Sequence, residues 1–146
     1  MISFPWLRVV LDTDVVVAAL RSPSGASAAL LRLLDQGKGT LLLSVPLALE
    51  YEAICHRAEH RLASGLSAEE VSTFVDALIS LAEPVEVNYQ WRPQLRDPGD
   101  EMVLEAAVNG GADALVTFNQ RDYHEAPAMF GIKVLLPREA LGRIRK

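Results

Sequence analysis

The chain of 146 residues is half apolar and 23% charged, with a formal net charge of −5. That composition excludes a disordered or fibrous chain, and the length suits one domain, residues 1–146, that buries roughly two thirds of its surface. The acidic balance argues against a broadly basic coat for nucleic acid but leaves room for a local basic rim around a metal-filled acidic centre. The single cysteine, Cys55, reads as a small buried hydrophobe in a reducing compartment. No apolar run approaches the roughly 18 to 20 residues of a membrane span, and "MISFPWLR" lacks the basic start and apolar core of a secretory signal. The expectation is a soluble, cytoplasmic protein with no membrane partner.

The first strand is "RVVLD" (8–12), followed by a helix "VVVAAL" for which Asp14 reads as the cap. "GASAALLRLLDQG" reads as a helix ending on Gly37, and "TLLLS" (40–44) as the second strand. "SVPLALEYEAICHRA" opens a helix with Ser44 as N-cap and Pro46 in its first turn. Ser67 and Glu70 form a capping box ahead of "VSTFVDALISLA", where Val71, Phe74, Val75, Leu78, Ile79 and Ala82 recur at helical spacing. "PVEVN" (84–88) is a weaker strand. "DPGDEMVLEAAVNGG" reads as a helix with Asp97 as N-cap, Pro98 at its first position and Gly110 and Gly111 closing it. "ALVTF" (114–118) and "IKVLL" (132–136) complete the strands. Strands alternating with helices predict an α/β fold on a parallel sheet covered on both faces.

Ligands bind such sheets at the carboxyl ends of the strands. Asp12 closes the first strand; Thr117 and Asn119 close the fourth. Asp100 shares a helical stripe with Val103 and Ala107, and Glu50 lies in the stripe Leu47, Glu50, Ile54. Helix capping accounts for Asp97 and, in part, for Asp100 and Asp14, and Glu50 could reach solvent at its helix edge. Asp12 has the weakest such account, since a carboxylate at a strand's end needs a partner and its neighbours supply no base, and three acids brought to one sheet edge repel unless a cation lies between them. A donor set of oxygens favours Mg²⁺ or Mn²⁺, and such an ion suits hydrolysis of a phosphate ester.

"VVLDTDVV" also fits the haloacid-dehalogenase phosphatases, with "ALVT" as their second motif. Their remaining acids must follow that motif, whereas "DPGD" precedes it and only Glu139 is acidic after Lys133.

Four segments in order, "RVVLDTDVVVAALRSPSGASAALLRLLDQG", "LLLSVPLALEYEAI", "RDPGDEMVLEAAVNGGADALVTFNQRDYHEA" and "FGIKVLLPREAL", resemble the PIN-domain nucleases, above all the VapC-like branch of toxin components of toxin-antitoxin systems. The resemblance implies an α/β/α sandwich on a mostly parallel sheet of four to five strands. It also implies an acidic Mg²⁺ or Mn²⁺ site that cuts RNA, a homodimer, and a cognate antitoxin. It assigns the metal to Asp12, Glu50 and Asp100, gives Thr117 and Asn119 orienting roles, and adds Asp122 as a further carboxylate. The family often carries Asp at position 119 and Asn at position 14; here the two types are exchanged, which makes Asp14 a candidate for a supporting or water-mediated partner of the ion. A catalytically weak PIN-like domain that binds RNA or a protein is the alternative. Arg21, Arg57, Arg61, Arg96 and Arg121 are candidate rim cations, with His124 a candidate phosphate contact; His56 and His60 receive no role.

Overall fold

The computed structural model describes residues 7–88 and 95–145; the opening "MISFPW" lies outside them. Five strands, β1 (Arg8–Leu11), β2 (Thr40–Ser44), β3 (Glu83–Val85), β4 (Ala114–Val116) and β5 (Lys133–Leu135), form one parallel sheet in the order β3-β2-β1-β4-β5. The chain runs outward from β1 through β2 to β3, then returns to the other side of β1 for β4 and β5. The crevice between β1 and β4 is therefore the topological switch point, where such sheets open a binding site.

Successive residues of a strand point to opposite faces, and Val9, Val10 and Leu11 are all fully buried, so both faces of the sheet are covered. Helices α1 (Thr13–Arg21), α2 (Ala26–Asp35), α3 (Val45–Cys55), α4 (Ala58–Ser64), α5 (Ala68–Leu81), α6 (Pro98–Asn109), α7 (Ala126–Met129) and α8 (Pro137–Arg145) supply the cover. α2 packs on α1 and α8, α3 on α5 and α6, and α6 on β1, β2 and β4. The capping box of α5 forms as read: Ser67 Oγ accepts from Glu70 N, and Glu70 Oε1 accepts from Ser67 N.

Three local readings change. Asp12, not Asp14, caps α1: the helix starts directly after the strand, Asp12 stays extended, and its carbonyl accepts from Val15 N at 3.0 Å. Asp14 is thereby carried into the first turn. The helix read through residue 58 ends at Cys55, because Arg57 is extended and opens α4, a break no Gly or Pro announces. The packing of α4 on α1 sets that corner. The buried stripe of α3 is Leu47, Tyr51 and Cys55, so Glu50 and Ile54 flank it, half-buried, instead of lying within it.

Candidate metal centre

Asp12 follows β1 at the switch point and is 7% exposed. Its Oδ1 accepts from Thr13 N at 2.7 Å, and its Oδ2 accepts from Thr117 Oγ1 at 2.8 Å and from Tyr123 Oη at 3.0 Å. Thr117 is fully buried just past β4, so register between β1 and β4 brings the hydroxyl to the carboxylate. Tyr123 ends a 3-10 turn, Gln120–Tyr123, and its fully buried hydroxyl also stands 3.5 Å from Asp100 Oδ1. Burial and the surrounding carboxylates push the Tyr123 phenol far up, so it remains a proton donor to these acids.

Asp100 sits in the first turn of α6, whose cap, Asp97, accepts from Gly99 N and Asp100 N. Glu50 comes from α3, where the neighbouring Tyr51, fully buried, donates its hydroxyl to the carbonyl of Leu11 and ties the helix to the end of β1. Asp12, Glu50 and Asp100 then line one cleft of about 480 Å³, together with Asp14, Asp97, Arg57 and His60. An adjoining cleft of about 510 Å³ shares Asp97 and Asp100 and adds Arg96, Asp122 and His124.

The electrostatics are those of carboxylates gathered with no cation in ion-pair contact with them among the described residues. Burial raises Asp12 above its ordinary range, against the pull of its hydrogen bonds. Burial and the charge of Asp12 push Asp14 up to about 7, and burial followed by Asp12, Asp97 and Asp122 pushes Asp100 up to about 6. Among the described residues the ion pair formed is Arg8 with Glu83, at the far end of β1. Asp14 Oδ2 accepts from Phe118 N and Asn119 Nδ2, both at 3.1 Å, while its Oδ1 is buried with no hydrogen-bond partner.

A PIN-domain family model matches residues 8–121. The chain belongs to the PIN-domain family. The fold agrees with a solved chain of the VapBC2 complex of Rickettsia felis, crystallised with a DNA fragment from its promoter: TM-score 0.61 at 16% identity, covering 88% of this chain and 97% of that one. Among curated proteins no match is found. Membership sets aside the haloacid-dehalogenase reading of "VVLDTDVV".

In this PIN domain the structure brings Asp12, Glu50, Asp100 and Thr117 to one place. Asn119 is exposed and reaches the site through Asp14, with its own N–H donating to Thr117 Oγ1 at 2.9 Å. Asp122 is exposed in the adjoining cleft. Among the described residues no three His, Cys, Asp or Glu side chains already surround a common point as an ion requires. The donor set nevertheless fits a hard divalent ion: oxygen donors from three segments, an orphaned buried Asp14 oxygen, and carboxylates whose raised pKa values a cation would lower. Tyr51 and Tyr123 are the members that sequence reasoning missed. The i, i+4 spacing of Tyr51 from buried Leu47 was the one signal available for either.

Proposed function

We propose that this PIN domain is a metal-dependent endoribonuclease that hydrolyses RNA phosphodiester bonds, with Asp12, Glu50 and Asp100 holding Mg²⁺ or Mn²⁺. The observation that carries this reading is Asp12 itself, a nearly buried carboxylate at the floor of a cleft that two other acids from separate helices also line. A divalent ion held there supplies a Lewis acid that lowers the pKa of water and neutralises charge gathering on the phosphate. The chain's own part is orientation. Thr117, Thr13 and Tyr123 fix both oxygens of Asp12, the start of α6 presents Asp100, and Asn119 with the Phe118 amide holds Asp14 behind them. Asp122 adds negative charge from the adjoining cleft.

The likeness to a chain of a VapBC2 complex supports a wider proposal, the toxin of a toxin-antitoxin pair with a cognate antitoxin as partner; a homodimer and a cytoplasmic setting are part of the same proposal and rest on the family resemblance alone. No helix among the described residues is long and apolar enough to cross a membrane. The alternative, a catalytically weak PIN-like domain that binds RNA or protein, requires a disabled site, whereas all three principal acids are present.

The test is purified protein, free of partner, with single-stranded RNA, folded tRNA, duplex DNA and a phosphomonoester in Mg²⁺, Mn²⁺ or EDTA. RNA cleavage that stops in EDTA and in Asp12→Asn and Asp100→Asn is expected. Cleavage that survives any of these contradicts the reading.

A further inference from the structure

We propose that the two clefts form one track for a nucleic-acid strand, with a phosphate-binding subsite made by Arg57 and His60 on one side of the acids and a second contact at Arg96 and His124 on the other. The proposal rests on the acidic centre being a nuclease site and concerns how the strand is held across it.

The geometry is two clefts that meet at acids and each carry cations. One holds Arg57 and His60 beside Asp12, Asp14 and Glu50; the other holds Arg96 and His124 beside Asp122; Asp97 and Asp100 line both. An ion among the acids can balance only the phosphate that lies upon it, and the phosphates to either side still face carboxylates. A polyanion crosses such a centre only where cations receive its neighbours.

The Arg57 and His60 end is built to be that receiver. The extended Arg57 opens α4 and places Arg57 and His60 three residues apart on one face of the helix. Arg21, at the last turn of α1, stands with its Nη1 3.4 Å from His60 Nδ1. A guanidinium only donates, so Nδ1 accepts and the ring proton lies on Nε2, a donor left for a phosphate oxygen. Arg21 is thus a positioning residue for His60. At the other end His124 has φ +49°, the one positive value among described residues other than glycine. The adjacent Tyr123, locked onto Asp12, fixes where that strained backbone lies.

The experiment measures binding of a fluorescein-labelled single-stranded RNA by anisotropy across a salt series in Mg²⁺. An Asp12→Asn background removes turnover. Removing one phosphate-neutralising side chain should lower the slope of log affinity against log salt by about 0.7. R57A/H60A, and its milder form R57Q/H60Q, should lower it by about 0.7, the share of the one charged member Arg57, with a further loss of affinity from His60 that is independent of salt; R96A should lower it by about 0.7. Arg21→Ala should weaken binding in the presence of His60 and have no effect once His60 is Ala. K133A/R143A removes two cations from the cavity at the opposite end of β4 and β5 and should leave the slope unchanged. Slopes that stay at the parental value in both Arg57/His60 variants, or that fall equally in K133A/R143A, overturn the track. Mg²⁺-dependent cleavage with unchanged slopes would sink this proposal alone; changed slopes with no metal-dependent cleavage by the wild-type chain would sink the nuclease reading alone.

Discussion

Replacing Tyr123 by Phe removes one buried hydroxyl and keeps the ring that fills its place. That hydroxyl donates to Asp12 Oδ2 at 3.0 Å and stands 3.5 Å from Asp100 Oδ1, with no solvent access to supply a substitute. A hydrogen bond to a charged group contributes about 1.5 to 3 kcal/mol. At about 1.4 kcal/mol per decade, that is roughly one to two decades in the availability of a correctly placed Asp12 carboxylate. The same range, about 10- to 100-fold, is typical when an outer partner of a metal ligand is removed. Mn²⁺ affinity, read by titration calorimetry on Tyr123→Phe and wild type, should therefore fall by about 10- to 100-fold. The reasoning is refuted if Mn²⁺ affinity stays within about twofold while urea unfolding shows the stability loss of an ordinary core hydroxyl. Tyr123 would then be packing only.

Three further outcomes follow from the same geometry. Asp14 and Asp100 have folded pKa values of about 7 and about 6, above their ordinary value, so the fold favours their neutral forms. Their contribution to metal-free stability is therefore fully present below about pH 4 and is lost as pH rises through 6 to 7; Tm in EDTA should drop as pH rises through 6 to 7 and recover on adding Mg²⁺, and a Tm that climbs there without metal contradicts the assignment. Gly110 stands where an added Cβ would come within 2.9 Å of the Ala106 carbonyl oxygen and of Val85 Cγ2, so Gly110→Ala should cost about 1 to 3 kcal/mol in chemical denaturation. His124→Gly should raise stability by about 1 kcal/mol by relieving its positive φ, yet weaken RNA binding because the imidazole is gone.

The parts of the molecule that local rules decide were legible in the sequence. The capping box of α5, the Asp97 cap and the buried cores of β1, β2 and β4 each depend on residues adjacent in sequence or at one helical period, and each forms. The convergence of Asp12, Glu50 and Asp100 on one cleft was legible because parallel topology sends the ends of strands and the starts of helices to the same edge. What tertiary contact decides was not. The corner at Arg57 comes from the packing of α4 on α1. The displacement of the cap from Asp14 to Asp12 follows from a strand that enters a helix without a loop. Tyr123 reads in sequence as one more aromatic in a polar loop, and only the approach of its turn to β1, 111 residues away, turns its hydroxyl into a brace for Asp12. His60 lacked a role for the same reason: Arg21, which sets its proton, lies 39 residues earlier.

The role proposed for Asp12 and its two partner acids is to hold the ion on which RNA cleavage depends. Its most direct test is the rate of single-stranded RNA cleavage as a function of Mg²⁺ concentration, for the wild-type chain and Asp12→Asn side by side. A saturable Mg²⁺ dependence in the wild type, abolished by EDTA and reduced by about 100-fold or more in Asp12→Asn, is the predicted result. A rate independent of Mg²⁺, or equal in the two proteins, contradicts that role for Asp12.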